Sequence, residues 1–246
     1  MSTGPSRISN SELPRPAWAL ALCTLAILLP LAGCGGTAQR AGSSRPFPDP
    51  AGTSLHGSSR QPPSEQFQLG VRYYKGDGVA KDSRRAAGLF REAAEQGHAG
   101  AQYDLGLLYL KGEGVALDHR EASRWFRRAA EQDHIKAQLN LGLMYGKGDG
   151  VDKDLRETLR WFRAAAEQGS ARAQIYLGEM AFRGDGVAKD LSAAFRWFLK
   201  AARQESAEAE LYLGIMYLRG QGVAKDPRQA ADWLRKAAEH GLPQAK

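Results

Sequence analysis

The chain has 246 residues, of which 43% are hydrophobic and 25% are charged, and its formal net charge is +7 at neutral pH. This composition excludes collagen, a continuous coiled coil and a wholly disordered chain, and the length allows a sizeable core or a repeat array. Nine of the 11 prolines lie within the first 63 residues. The composition therefore changes near residue 64, where we expect a domain boundary.

Residues that support catalysis or metal binding are scarce after that boundary. Both cysteines, Cys23 and Cys34, precede it, so the later part has no disulfide framework, cysteine-based zinc site or thiol nucleophile. The five histidines show no HExxH-type spacing. We therefore expect no metal, no cofactor and no enzymatic activity.

Residues 1–33 have the pattern of a secretory signal peptide. Arg7 and Arg15 precede an uncharged apolar stretch over residues 17–31. This stretch is too short to span a bilayer comfortably as a helix. The pattern predicts an exported protein, and an N-terminal membrane anchor is the alternative.

The apolar stretch ends in Leu31-Ala32-Gly33-Cys34, which resembles the bacterial lipobox. That resemblance implies that Cys34 becomes the lipid-modified first residue of the mature protein. Because the next residue is Gly35 rather than aspartate, the resemblance also implies an anchor in the outer membrane, on its periplasmic face. The alternatives are an inner-membrane or cell-surface location, or a plain signal peptide with a chance cysteine.

Residues 34–64 are rich in glycine, serine and proline and show no hydrophobic period. Such a segment is typical of a disordered tether, because it has too little apolar surface to fold. A flexible chain of this length spans about 30 Å, enough to hold a domain clear of a lipid surface.

From residue 65 the sequence repeats every 36 residues, through Leu-Gly pairs at 69, 105, 141, 177 and 213 and tryptophans at 125, 161, 197 and 233. A fixed period of this size predicts an all-α solenoid of stacked helical hairpins. Residues 65–246 then contain five units: 65–100, 101–136, 137–172, 173–208 and 209–244.

Each unit predicts two helices, A and B. Helix A ends at a glycine, such as Gly112, that can adopt the left-handed conformation. A Gly-x-Gly-Val loop follows, whose valine plugs the end of the hairpin. An aspartate such as Asp118 then caps helix B, and Glu121, Glu157 and Gln229 complete capping boxes. The tryptophan and phenylalanine of helix B are predicted core residues.

The pattern Ala-x-x-x-Leu-Gly-x-x-Tyr, Gly-x-Gly-Val, Asp, Ala-x-x-Trp-Phe, Ala-Ala resembles the Sel-like repeat, a relative of the tetratricopeptide repeat. The resemblance covers residues 65–244, and the departures are Leu89, Ala181 and Gln204-Glu205. It implies a right-handed superhelix that binds partners, without a common reaction.

An enzymatic alternative also comes from the resemblance, because weak penicillin hydrolysis has been assigned to some cysteine-rich relatives. Their paired cysteines are missing after residue 64, and no Ser-x-x-Lys occurs in the repeats. A β-lactamase-like hydrolase is therefore disfavoured.

Helix A is apolar on two sides, and the resemblance directs the second side into a concave groove. The groove is predicted to hold Phe67, Tyr103, Leu107, Leu110, Leu139, Ile175, Glu179, Phe182 and Leu211, with Lys111, Lys147, Arg183 and Arg219 along its edge. An apolar groove edged by cations suits an acidic peptide or protein of the cell envelope. Alternatively, the superhelix buries this face between neighbouring units.

Helix B carries a second candidate surface, a row of arginines termed the basic ridge: Arg120, Arg124, Arg127, Arg156, Arg160 and Arg163. The ridge suits anionic carbohydrate, peptidoglycan or lipid headgroups, and the alternative is a solvated helix face. Nucleic acid is not expected as a partner outside the cytoplasm.

The last helix B, with Trp233 and Leu234, is not followed by a sixth unit in this sequence. In a solenoid each unit covers the apolar side of its neighbour. We therefore expect self-association or partner docking at the C-terminal repeat.

Overall fold

The computed structural model describes residues 62–241. This part contains ten α-helices and no strand. The helices are α1 Pro63–Lys75, α2 Ser83–Glu95, α3 Ala99–Lys111, α4 His119–Ala130, α5 Ile135–Lys147, α6 Leu155–Glu167, α7 Ala171–Arg183, α8 Leu191–Ala202, α9 Ala207–Arg219 and α10 Pro227–Glu239. The predicted signal peptide, Cys34 and most of the tether lie outside the described residues.

The helices form five consecutive hairpins. Each odd-numbered helix (A) packs most closely against the even-numbered helix (B) that follows it, and each B helix packs against the next A helix. The predicted right-handed, all-α solenoid of helical hairpins is confirmed. No helix within residues 62–241 is long and apolar enough to cross a membrane.

The A helices begin two residues before the predicted unit boundaries at 101, 137, 173 and 209. Two of these starts follow a histidine cap: the Nδ1 atom of His98 accepts a hydrogen bond from the Ala101 N–H at 3.0 Å. His134 caps α5 in the same way. Histidine is not among the preferred N-cap residues, so the composition around these positions does not signal a helix start.

The loop between helix A and helix B has the predicted glycine and aspartate caps at its two ends. Gly112 ends α3 with φ 69°, and the Asp118 carboxylate accepts the Glu121 N–H at 2.9 Å. The second half of the predicted capping boxes is wrong. The Asp118 N–H donates to the Tyr109 carbonyl at 3.0 Å, and the Glu121 side chain pairs with Arg124 instead. The loop thus closes back onto its own helix A, which leaves no free cap amide for the glutamate.

The tryptophans lie in the core between neighbouring units. Trp125 packs against buried residues of unit one, and Trp161 against those of unit two. Both are buried, as predicted, whereas Trp197 and Trp233 are half-buried. The core consists of four apolar clusters along the solenoid, and Phe126 in the second of them is fully buried.

A buried polar ladder runs beside this core. It consists of Gln66, Gln102, Gln138, Gln174 and Glu210, all 5% exposed or less. The Gln138 side chain donates to the Ala130 carbonyl at 3.2 Å and accepts from the Gln168 amide at 2.9 Å. Because Ala130 belongs to the preceding unit, Gln138 joins two repeats, and Gln102 and Gln174 do the same through the carbonyls of Ala94 and Ala166. Sequence reasoning missed the ladder, although glutamines recur every 36 residues at both of its positions.

The last unit replaces the glutamine pair by an acid and a base. His240 Nδ1 lies 2.9 Å from a carboxylate oxygen of Glu210, which is 2% exposed. The hydrogen bond to Glu210 raises the pKa of His240 above its usual value, and Glu205 and Glu239 act in the same direction. The carboxylate of Glu210 cannot donate to a carbonyl as glutamine does.

The Glu210–His240 pair should make the protein less stable as the pH rises. The pKa of His240 is higher in the folded than in the unfolded state. The pair therefore contributes its full stabilisation at pH values below the unfolded pKa, near 6.5, and this stabilisation is lost as the pH rises through the folded pKa. Glu210→Gln combined with His240→Gln restores the ladder and should make stability less pH-dependent. Urea unfolding between pH 5.5 and 8.5 measures this difference, since all other groups titrate alike in both proteins. An unchanged pH profile would contradict the pairing.

Candidate functional site: the face of the A helices

The predicted groove residues occupy one face of the odd-numbered helices, here called the groove. Exposed cations edge it at Lys111, Lys147, Arg183 and Arg219. The half-buried members are Phe67, Tyr103, Leu107, Leu110, Leu139, Glu179, Phe182 and Leu211. Ile175 is 5% exposed and belongs to the core. The groove thus presents partly exposed apolar side chains, while the superhelix removes Ile175 from its surface.

Histidine caps hold the aromatic side chains at the first two junctions. The Phe67 ring stacks on His98 with 4.5 Å between centroids, and the Tyr103 ring stacks on His134 at 4.7 Å. Burial lowers the pKa of His134, and Lys136 acts in the same direction. A neutral imidazole can cap the helix and stack on the ring at once, so each histidine at the start of an A helix positions an aromatic side chain of the preceding A helix.

An open hollow of about 480 Å³ lies in the groove and is lined by residues of units one, two and three. Phe67, Tyr103 and Ile135 form apolar walls, and Asp104 and Lys136 add opposite charges. Ile135 stands where the other A helices begin with alanine or proline, and it is 36% exposed. The hollow is large enough for one side chain of a partner.

Asp104 was not among the predicted groove residues. Burial raises the pKa of Asp104 to about 6, while Lys136, Lys75 and Lys111 act in the opposite direction. Two of these lysines come from the neighbouring A helices α1 and α5. The carboxylate is therefore mostly ionised at neutral pH and lies within the field of three ammonium groups.

Units four and five carry a different arrangement. The Glu179 carboxylate accepts a hydrogen bond from the Tyr212 hydroxyl and pairs with Arg183 at 3.2 Å. Tyr212 stacks on Phe198 at 4.3 Å. Burial raises the pKa of Glu208, as does Glu179, while the positive charge of Arg172 lowers it. Charges in this half of the groove therefore compensate one another.

The arginine row on the B helices is only partly free. Arg120, Arg124, Arg156, Arg160 and Arg163 are exposed, as predicted. The prediction that Arg127 belongs to the exposed basic ridge is wrong, because Arg127 is half-buried and donates to the Tyr145 hydroxyl of the next unit. Arg91 makes the same contact with Tyr109 at 2.7 Å. Arg127 is thus a contact between repeats, where the helix-B face turns toward the next helix A.

Two further arginines of the basic ridge are paired within their own helices, Arg124 with Glu121 and Arg160 with Glu157. A shallow hollow of about 460 Å³ is lined by Arg156, Leu159, Arg160 and neighbouring residues of α6. Exposed pairs of this kind contribute little to stability. Across residues 62–241, no group of three or more metal-binding side chains comes together.

Comparison with known proteins finds the Sel1 repeat at residues 66–98, 99–134, 135–170, 171–206 and 207–242. A protective antigen of uropathogenic Escherichia coli strains with an SLR fold is 43% identical over 74% of this chain and 39% of its own, with a TM-score of 0.73. A Sel1 repeat protein from Oxalobacter formigenes is 38% identical over 74% of this chain and 75% of its own, with a TM-score of 0.72. A search of curated proteins finds no significant match.

The present chain thus spans about two fifths of the Escherichia coli antigen and three quarters of the Oxalobacter protein. The last four matched repeats begin at the helix starts seen in the structure, two residues before the predicted boundaries. Five matched repeats, the hairpin stacking and the two similar structures agree, and the chain belongs to the Sel1 repeat family.

Proposed function

We propose that this protein is a lipid-anchored scaffold of the bacterial cell envelope whose groove binds a protein or peptide partner. Sel1 repeats generally mediate protein–protein interaction. The observation that carries the proposal is the groove itself, where half-buried apolar side chains line a face edged by exposed cations. Apolar area contributes affinity to such a surface, and complementary charges contribute specificity. No reaction is needed to explain these features.

The anchor rests on the sequence of residues 31–34 and on their position at the end of an apolar stretch. We expect Cys34 to be the first residue of the mature protein and to carry lipid. Mass spectrometry of protein extracted from membranes measures both properties. Cys34→Ala should leave the protein unprocessed or free of the membrane. An intact residue 1, or cleavage at another position, would contradict the anchor.

The groove is tested by placing charges in its apolar surface. Leu107→Glu combined with Phe182→Glu should reduce capture of envelope partners in intact cells at least about tenfold, because buried charge opposes binding. Both side chains are half-buried, and circular dichroism checks that the helices remain. Unfolding would show that this face is structural rather than a binding surface, and unchanged capture with intact helices would contradict the groove.

The matched control changes the basic ridge instead. Arg120→Gln combined with Arg156→Gln removes two exposed charges from the B helices and should leave capture unchanged. Loss of salt-sensitive binding to anionic carbohydrate or peptidoglycan in this control would favour the alternative function of the ridge. The ion pairs of Arg124 and Arg160 and the contact of Arg127 weigh against that alternative.

A further inference from the structure

Charge is distributed unevenly along the groove. In units four and five, Glu179 pairs with Arg183, and Arg172 opposes Glu208. Units one to three differ, because α1, α3 and α5 bring Lys75, Lys111 and Lys136 around the Asp104 carboxylate, with Lys147 further along the edge and Asp133 as a second carboxylate at the hollow. These four lysines outnumber the two carboxylates, whereas Arg172 and Arg183 in the second half are each opposed by a glutamate.

The same half of the groove contains the hollow lined by Phe67, Tyr103 and Ile135. Its lining also includes Asp133 and His134 from the junction before α5. The Tyr74 hydroxyl of α1 donates a 2.7 Å hydrogen bond to the Glu113 carboxylate. Apolar walls and lysines that outnumber the nearby carboxylates thus occur side by side in units one to three.

We propose that units one to three bind an acidic segment of the partner protein, with one apolar side chain in the hollow, and that Asp104 is an internal counter-ion which this segment displaces. The inference rests on the proposed function and adds the partner's chemistry and its position. Carboxylates of the segment pair with Lys75, Lys111 and Lys136. At neutral pH the ionised Asp104 competes for the same ammonium groups and repels the segment.

Protonation of Asp104 removes this competition, so binding is coupled to proton uptake. Its pKa of about 6 lies above that of glutamate side chains in a free peptide, near 4.3. Between these values the peptide is still anionic while Asp104 is largely neutral. The groove therefore binds an acidic segment more tightly at pH 5.5 than at pH 7.5.

The experiment uses two pools of rhodamine-labelled nonapeptides, which share a central leucine and carry either two glutamates or two glutamines. Fluorescence anisotropy with the folded protein should show the acidic pool binding about fivefold more tightly at pH 5.5 than at pH 7.5. With Asp104→Asn, the acidic pool should bind at both pH values as tightly as it binds the unchanged protein at pH 5.5. Lys111→Gln combined with Lys136→Gln should weaken binding about tenfold.

Two controls locate the effect. Arg196→Gln combined with Arg228→Gln removes two exposed cations from the B helices α8 and α10 of units four and five and should leave affinity within about twofold. His134 also titrates and lines the hollow, so His134→Ser, which copies the Ser170 cap of α7, should retain the pH step. A step that disappears in His134→Ser but persists in Asp104→Asn would overturn the role of Asp104.

Failure of the inference differs from failure of the proposed function. If both pools bind equally and Leu107→Glu abolishes their binding, the groove binds peptides but not through acidic groups. If the lysine and arginine variants weaken binding equally, the partner is not confined to units one to three. If neither pool binds and the groove variants retain partner capture, the groove function itself is wrong.

Discussion

Replacing Gly150 by alanine is expected to lower the free energy of unfolding by about 3 kcal/mol, whereas Gly78→Ala should lower it by about 1 kcal/mol. Both glycines are the second of the Gly-x-Gly-Val loop and both have φ 68°. The strain of a left-handed alanine is therefore common to both substitutions, and the difference reports their surroundings.

Those surroundings differ because only Gly150 has a preceding unit. A Cβ atom at Gly150 would lie 2.2 Å from the carbonyl oxygen of His119, at the start of the preceding helix B. At Gly78 the nearest atom is the end of the flexible Arg72 side chain, 3.1 Å away. Urea unfolding of the two variants measures the difference, and equal losses would contradict tight backbone packing between repeats.

The second large effect is expected from Gln138→Leu, at about 2 kcal/mol of lost stability. Leucine keeps the volume of this 1% exposed side chain but removes two hydrogen bonds, the one donated to the Ala130 carbonyl at 3.2 Å and the one accepted from the Gln168 amide at 2.9 Å. The Ala130 carbonyl keeps the Asp133 N–H as a donor at 3.1 Å, so the expected loss is that of the two hydrogen bonds, at about 1 kcal/mol each. The loss should appear as weaker coupling between units two and three.

Gln66→Leu is the matched control, because Gln66 has no preceding unit to contact. Its side chain donates to the Glu92 carboxylate at 2.9 Å, and its carbonyl accepts from Gln96 at 2.6 Å. These partners can turn to solvent, so a loss of about 1 kcal/mol or less is expected. Thermal and urea unfolding compare the two variants. A Gln66→Leu variant as unstable as Gln138→Leu would show that the ladder does not couple the repeats.

The fold was accessible from the sequence because its signals repeat. The period of 36 residues, the glycine that ends each helix A and the aspartate before each helix B all identify the hairpin without tertiary information. The caps at His98 and His134 were missed, since histidine is not among the preferred N-cap residues and its Nδ1 atom accepts the backbone N–H here. The glutamine ladder was missed because a hydrophobic pattern assigns glutamine to the surface.

The groove was predictable only in outline. Helical periodicity placed the apolar residues on one face, but it could not show that Ile175 turns into the core. At 100° per residue, helical periodicity also placed Asp104 between the two apolar sides of α3 and therefore outside the groove. Its three lysines come partly from neighbouring units, and the Tyr212 hydroxyl reaches Glu179 across 33 residues of sequence. Such contacts depend on how the superhelix stacks its units, which a single repeat does not encode.

Site-specific photo-crosslinking in intact cells tests the central claim most directly. A photoreactive amino acid at Leu107 reports the groove, and the same residue at Arg196, which is exposed on α8, reports the B-helix surface. We expect an envelope protein to be crosslinked from position 107 through an acidic segment identified by mass spectrometry, and not from position 196. Crosslinks from position 196 alone, or none from position 107 while the protein is folded and membrane-bound, would contradict a scaffold that binds its partner in the groove.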